Sequence, residues 1–338
     1  MINIGILGAA GYTGGELIRL LLNHPQANIV FAHSESNAGN KVSDVHEGLV
    51  GDTDLQFSDG MPLDQVDVVF FCFGHGKSEA FLKANAIPQG VKIIDLAQDF
   101  RIAGNHDYVY GLPEIYRREI CQAQHLANPG CFATCIQLGL LPLAQAGLLT
   151  NDINVNAITG STGAGQKPAA TTHFSWRNDN MSVYKLFTHQ HLHEITQTLN
   201  ALRPQNAPRV IDTLDEPEAT DGITVDFIPY RGDFARGIFC TQVVRLDKVI
   251  TPGEVTQLYK DFYHDAPFTH YVDKDINLKQ VVNTNKALVS TRVFGRKIVI
   301  QSAIDNLLKG AVGQAVQNMN LMFGLPEITG LQLKASAF

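Results

Sequence analysis

The run GILGAAGYTGGEL, residues 5–17, decides how the rest of the chain is read. It grows out of the apolar stretch INIGIL (2–7) and leads into GGELIRLLLNHP, whose apolar residues recur at helical spacing until Pro25 stops the pattern. Gly8, Gly11 and Gly14 stand three residues apart between that strand and that helix. A backbone that turns this tightly, with no side chain in the way, lets a pyrophosphate approach the amides at the helix start. Ala10, Tyr12 and Thr13 belong to the same loop and join the glycines as candidate coenzyme contacts. The spacing is G-x-x-G-x-x-G, not the commoner G-x-G-x-x-G, and by itself it also suits a tight turn that binds nothing.

Working outward, ANIVFAHS (27–34), DVVFFCFG (67–74) and VKIIDLA (91–97) are β-rich runs, with a helical segment, KSEAFLKANAI (77–87), between the last two. Strands alternating with helices predict a parallel sheet covered on both faces. Residues 1–128 therefore read as an α/β domain with a Rossmann-type, doubly wound parallel sheet. The second strand ends in HSESNAGNK (33–41). An acid at this strand end holds the ribose hydroxyl of NAD, whereas Ser, Lys or Arg suits the 2′-phosphate of NADP. Ser34, Ser36 and Lys41 point to NADP; Glu35 argues for NAD unless it faces outward.

With 338 residues, 45% of them hydrophobic, the chain has material for two domains. A net charge of −7, a pI near 5.9 and scattered basic residues give no support to nucleic-acid binding. No apolar stretch approaches the roughly 20 residues of a membrane span. The N-terminus shows no basic segment followed by a cleavage signal, so a cytoplasmic protein is expected. The five cysteines are odd in number, widely spread and without zinc-ligand spacing, which fits a reducing compartment and no metal site.

The rhythm changes at NPGCFATC (128–135). Cys131 follows a Pro-Gly pair and opens an apolar run, FATCIQLGLLPLAQAGLL, that reads as a helix. A thiolate at a helix N-terminus is stabilised by backbone N–H groups and the helix dipole. Cys135, one turn on, should project from the same face but deeper, and Cys72, Cys121 and Cys240 read as structural. INVNAITGSTGAG (153–165), GITVDFIPYRG (222–232), RGIFCTQVVRLD (236–247) and RKIVIQSAIDN (296–306) are strand-like with long connections. Residues 129–305 thus predict a second, α+β domain built on a mixed or antiparallel sheet. LKGAVGQAVQNMNLMFG (308–324) is apolar enough to be a buried helix, and the segment from about 306 to 338 is expected to rejoin the first domain.

FTHQHLHEI (187–195) packs His189, His191 and His193 together, followed by Glu194. Metal binding is one reading, although the run lacks the H-E-x-x-H arrangement. Acid/base catalysis needs only one of these imidazoles within reach of the thiol. In GSTGAG (160–165), the amides of Ser161, Gly163 and Gly165 can face an anionic oxygen, or the loop is a plain turn.

As an ordered set, GAAGYTGGEL, SNAGNKVSDVH, IIDLAQDFR, YGLPE, NPGCFAT, GSTGAGQK, FTHQHLHEI, RGIF and DNLLKGAVGQAVQNMN resemble the N-acetyl-gamma-glutamyl-phosphate reductase family, which is related to aspartate-semialdehyde dehydrogenase. The resemblance covers nearly the whole chain. It implies NADPH-dependent reduction of an acyl phosphate to an aldehyde in arginine biosynthesis, with Cys131 as the nucleophile that forms a thioester. His189 and His191 match the family's two histidines, with His191 the preferred acid/base and Glu194 beside it. The resemblance also implies coenzyme contacts from Gly163 of GSTGAG and, on the nicotinamide side, from the C-terminal signature that holds Asn306, Lys309, Gly310 and Gln314. It implies substrate contacts from Ser161, Gly165 and Arg236, although Arg236 also suits a surface salt bridge. The chain departs from the family's H-R-H-x-P-E at Gln190 and His193, and Arg231 is an additional cation. These departures open the acyl group to succinyl beside acetyl. The rivals are an aspartate-semialdehyde or glyceraldehyde-3-phosphate type of dehydrogenase and a non-catalytic NADP-binding sensor. A homodimer or homotetramer paired through the second domain is expected.

Overall fold

The structure, a computed structural model, describes residues 1–150, 153–205 and 222–336. It divides into two compact units, one of Met1–Gly130 with Ala311–Leu333, the other of Cys131–Gly310 with the chain end from Lys334.

In the first unit, β1 (Ile2–Leu7), β2 (Ala27–His33), β3 (Phe57–Ser58), β4 (Val68–Phe71), β5 (Lys92–Asp95), β6 (Val109–Tyr110) and β7 (His125–Ala127) form one parallel sheet. The order is β3-β2-β1-β4-β5-β7-β6. Helices α1 (Tyr12–Leu21), α2 (Ser78–Ala84) and α3 (Pro113–Gln122) connect the strands. The central strands are apolar without alternation, and Ile4, Ile6, Leu7 and all four residues of β4 are buried. That is the pattern of strands covered on both faces, as the strand–helix alternation predicts. The strand order reverses between β1 and β4, and the glycine loop leaves the sheet at the carboxyl end of β1, the usual ligand position in such sheets.

The second unit holds a seven-stranded sheet of β8 (Ile153–Thr159), β9 (Ser182–Val183), β10 (Asp226–Arg231), β11 (Ile238–Arg245), β12 (Thr269–Tyr271), β13 (Ala287–Phe294) and β14 (Lys297–Ile304). Its order is β12-β13-β14-β11-β8-β10-β9. β8 runs parallel to β10 and β12 to β13, and the other pairs are antiparallel, so the sheet is mixed. The helices are α4 (Cys131–Gln145), the single turn α5 (Phe174–Arg177), α6 (His191–Leu202) and α7 (Pro252–Phe262). β8 and β11 alternate buried residues with half-buried or exposed ones, because α4 packs on one face of the sheet and the other face is the more open among the described residues.

α4 is buried from Phe132 to Ala144 although Pro142 lies inside it. Proline has no N–H to give the carbonyl of Leu138 one turn back. The Tyr263 hydroxyl donates to that carbonyl instead, and the Tyr259 hydroxyl donates to Gly139 O at 2.6 Å. Two tyrosines one helical turn apart thus make the interrupted helix tolerable.

The last helix, α8 (Gly313–Met322), belongs to the first unit and is buried along its whole length. Its amide side chains are tied into that unit. Asn318 Nδ2 donates to Gly111 O at 2.8 Å and to Asn128 Oδ1 at 3.2 Å. Asn320 Oδ1 lies 2.9 Å from His24 Nε2, and Asn320 Nδ2 donates to Glu327 O and Thr329 O.

Candidate active site

The three glycines of the first loop serve different ends. Gly8 has φ 75°, and a Cβ there would lie 2.7 Å from Cys72 O, so only glycine makes the turn. A Cβ at Gly14 would lie 2.4 Å from Ala9 O, so this glycine lets α1 pack against the loop. Gly11, the N-cap of α1, is different: its nearest contact would be Gly8 O at an ordinary 3.6 Å. Protein packing does not require glycine at 11, whereas a phosphate approaching the helix end does. Ala10 is half-buried and Tyr12 exposed. The first intrahelical bond, Gly15 N to Gly11 O at 2.9 Å, leaves the amides of Tyr12, Thr13 and Gly14 with no acceptor inside the helix. These residues fit a dinucleotide pyrophosphate.

His46, from the SDVH stretch, props the loop from behind: its Nε2 lies 2.9 Å from Ala9 O and its ring fills the space beside Gly15. Spacing gives no signal for this support. Ser34 sits buried at the end of β2, its N–H bonded to Ser58 O and its Oγ accepting from Asn37. Ser36 and Glu35 are exposed, and exposed Lys41 pairs with Asp54 at 3.0 Å. A surface pair of this kind contributes little to stability.

Cys131 is the first residue of α4 and half-exposed, where the helix dipole favours a thiolate. The other thiols are unsuited. Burial pushes Cys72 up to about 12 and raises Cys135 well above the ordinary range. Cys135 donates to Ser302 O at 3.5 Å, while Cys240 is buried. Cys121 lies exposed on α3, outside the core that a structural cysteine would occupy.

Phe132, next to the thiol, gathers the histidines. Its ring centroid is 5.4 Å from that of His189 and 6.3 Å from that of His191. The two imidazoles stand 4.6 Å apart at 75°, and both are buried. His189 Nδ1 accepts the His191 N–H at 3.2 Å, which places any proton of a neutral His189 on Nε2. His191 Nε2 lies 3.9 Å from the buried Glu194 carboxylate one turn along α6. Gln137 of α4 clasps α6 by donating to Glu194 O and Thr198 Oγ1. His193 faces solvent, and Gln190 accepts from Lys185 Nζ at 2.7 Å.

The GSTGAG loop is a 3₁₀ turn, Ser161–Ala164, lashed to the segment before β11. Gly160, Ser161 and Thr162 N–H donate to Gly237, Phe234 and Ala235 carbonyls, and Gly165 N–H donates to Thr162 O. The amides of Ser161 and Gly165 are therefore spent on the fold, which leaves the Ser161 hydroxyl and the exposed Gly163 as the loop's groups toward a ligand. Asn306 does the lashing: its Oδ1 accepts from Gly237 N at 2.6 Å and its Nδ2 donates to Thr162 Oγ1 at 3.0 Å. Arg236 is forked onto buried Asp305, Nε to Oδ2 at 3.1 Å and Nη2 to Oδ1 at 3.2 Å. Asp305 also accepts the N–H groups of Asn283, Leu307 and Leu308, and its organising position is unmarked in sequence. A Cβ at Gly310 would lie 2.9 Å from Cys131 Cβ, so this glycine makes room for the Cys131 side chain. Lys309 is buried in the π-helical turn Leu308–Val312, and Gln314 is buried in α8 of the first unit.

Arg231 stacks on Tyr184, its guanidinium carbon 3.8 Å from the ring centroid. Tyr184 in turn lies edge-on to His189 at 5.8 Å. Burial, followed by the nearby Cys131 charge, pushes the Tyr184 phenol up, while Arg231 and Arg177 oppose the rise. Tyr184 and Arg177 come from segments with no motif of their own.

The profile described as "Semialdehyde dehydrogenase, NAD binding domain" matches residues 3–123, and "Semialdehyde dehydrogenase, dimerisation domain" matches residues 131–306. The N-acetyl-gamma-glutamyl-phosphate reductase of Bacteroides thetaiotaomicron is 58% identical over the full length of both chains. The chain belongs to the N-acetyl-gamma-glutamyl-phosphate reductase family. Proteins of the same name from Parabacteroides distasonis and Flavobacterium johnsoniae are 56% and 50% identical, again over the full length of both chains. Among solved structures, aspartate semialdehyde dehydrogenase II of Vibrio cholerae superposes with a TM-score of 0.71 at 19% identity, covering 96% of this chain and 98% of that one. The Candida albicans aspartate semialdehyde dehydrogenase with NADP gives 0.66 at 15% identity, covering 96% of this chain and 98% of that one. At such identities the likeness speaks for the fold.

Proposed function

We propose that this chain reduces an N-acyl-γ-glutamyl phosphate, with acetyl as the acyl group, to the semialdehyde and inorganic phosphate, using NADPH, in arginine biosynthesis. The observation that carries the reading is a half-exposed thiol at the start of α4, grouped through Phe132 with two buried histidines, one of them facing a buried carboxylate. Full-length relatives named for this reaction support it.

Cys131, as the thiolate, attacks the acyl carbon. The C–S bond forms, the bond from that carbon to the phosphate oxygen breaks, and phosphate leaves with the electron pair. The Gly8–Gly14 loop and the Ser34, Ser36 and Lys41 region hold the dinucleotide, which when bound supplies the hydride that takes the thioester carbon to the aldehyde level. His191, oriented by Glu194, donates a proton to the oxygen that becomes negative and withdraws it as the C–S bond breaks and the thiolate returns. The one proton consumed overall ends on the departing phosphate. Asp305 and Asn306 act through Arg236 and the 161–164 turn, as positioning residues.

The test runs in reverse: N-acetylglutamate semialdehyde, phosphate and NADP⁺, followed by NADPH absorbance. The wild type should turn over, while Cys131→Ser should be inactive yet still bind NADPH. Efficient use of aspartate semialdehyde in preference, or an active Cys131→Ser enzyme, overturns the proposal; an inert wild type that binds NADPH supports the sensor reading.

The dimerisation profile over 131–306 supports a homo-oligomer, and the open sheet face is the surface we assign to it. Val243 of β11 and Val299 of β14 lie opposite each other in register, both half-buried. Val243→Asp should split the assembly in sedimentation; unchanged sedimentation excludes this face.

A further inference from the structure

We propose that Arg177 and Arg231 form a carboxylate-binding pair in the second unit, serving a substrate carboxylate remote from the reacting carbon. The proposal rests on the acyl-phosphate reading above and names the group that this site recognises. β8 and β10 run parallel, and their last residues, Thr159 and Arg231, lie opposite each other in register. Arg177 Nη2 donates to Thr159 O at 3.4 Å, so both guanidinium groups converge on the same strand ends. Arg177 is only 8% exposed, and its Nε is buried without a hydrogen-bond partner. Among the described residues, no carboxylate lies within ion-pair distance of either arginine. Asp233, whose charge acts on Arg177, is exposed and accepts the Asp179 N–H.

Two adjacent cations, one of them almost fully buried, repel each other and lose hydration. Burial and the neighbouring Arg231 both push Arg177 down. Such a pair is stabilised by an anion that accepts from both, and guanidinium groups suit a carboxylate. Arg231 is held against the Tyr184 ring, which stands beside His189. The guanidinium is thus displaced from the thiol by an aromatic side chain. That offset suits a carboxylate several bonds from the acyl carbon better than the phosphate attached to it. Arg236, the sequence-level candidate for this task, is already forked onto Asp305.

Two carboxylates meet the description: the α-carboxylate of the glutamyl group, and a terminal carboxylate on a succinyl group at nitrogen. Three aldehydes separate them in the reverse reaction: N-acetylglutamate semialdehyde, N-succinylglutamate semialdehyde, and 4-acetamidobutanal, which carries no carboxylate. For the wild type, kcat/KM on 4-acetamidobutanal should be at least about tenfold below the better carboxylated aldehyde. Arg231→Gln should bring that ratio close to one, mainly through KM, as loss of a charged hydrogen bond does. Arg231→Lys should recover part of it. If the ratio collapses for both carboxylated aldehydes, the α-carboxylate is the ligand; if for the succinyl compound alone, the acyl carboxylate is. A wild type indifferent to the carboxylate, an equal loss on all three aldehydes, or a rise confined to the KM of phosphate overturns the pair's role. A wild type that uses none of the three, while still binding NADPH, refutes the enzymatic reading instead.

Discussion

Gly11 and Gly14 look alike in the glycine loop, yet alanine should injure them in opposite ways. At 14 the added Cβ would lie 2.4 Å from the Ala9 carbonyl oxygen and 2.6 Å from the carbonyl carbon, and both are main-chain atoms that cannot swing aside. Overpacking of this kind costs about 1–3 kcal/mol, offset by the ~0.4–1 kcal/mol that replacing glycine returns through the unfolded chain. The net loss of ~1–2 kcal/mol should lower Tm by about 2–8 °C in a unit of this size. At 11 the nearest atom would be 3.6 Å away and φ is −77°, so the methyl group fits. Only the cap preference suffers, by at most about 1 kcal/mol. The methyl instead occupies the space a pyrophosphate needs, and the Kd for NADPH should rise at least about tenfold, which is ~1.4 kcal/mol. Thermal unfolding by circular dichroism and NADPH fluorescence titration read the two effects separately. A Gly11→Ala protein that binds NADPH like the wild type, or a Gly14→Ala protein of unchanged stability, refutes the division of labour.

His191→Asn should lower kcat by about 10²–10⁴-fold, with Cys131 still open to alkylation; an undiminished kcat removes His191 from proton transfer. Tyr263→Phe leaves the Leu138 carbonyl unsatisfied and should cost about 1–3 kcal/mol. In a Pro142→Ala background, where an N–H returns, the cost should shrink, and strict additivity in the double-mutant cycle contradicts the account. Burial holds Asp95 up at about 6, even though Ala97 N–H and the Ser78 hydroxyl both bond to it. The unfolded chain releases this proton near pH ~4 and the fold keeps it to about pH 6, so the stabilisation is complete below ~4 and lost as pH rises to ~6. The loss is of order 3 kcal/mol. Asp95→Asn should flatten that part of the urea-unfolding profile, and an unaltered profile counts against it.

Segments whose chemistry is local were legible. The glycine loop is marked by residues that only a turn and an approaching ligand explain, and Cys131 by a Pro-Gly pair ahead of an apolar helix. β3 and β9 have two residues each, too few for any periodicity. β13 is different: Val289, Thr291 and Val293 carry the β-branched signature of a strand, and length does not hide it. The amides of GSTGAG pointed to an anion site because glycines permit one, but the acceptors of Gly160, Ser161 and Thr162 come from residues 234–237, which local sequence cannot place. Asp305, Arg177 and Tyr184 matter through partners tens of residues away, so their roles appear only once the sheet has brought the segments together. Arg236 shows the same limit: an exposed-looking arginine is claimed by a buried carboxylate.

The first unit draws on two distant parts of the chain, Met1–Gly130 and Ala311–Leu333, while nearly all of the second lies in one run, Cys131–Gly310. On a ribosome, residues 131–310 are therefore all made before the helix that completes the nucleotide-binding half emerges. At typical elongation rates, this leaves the nascent N-terminal half waiting roughly 10–40 s, with the surfaces of α1 and α3 that α8 will cover still bare. The catalytic half can mature first, and the coenzyme-binding half can close only near the end of translation. A messenger truncated after codon 310 should thus yield a product with a folded thiol-bearing half and an aggregation-prone partner.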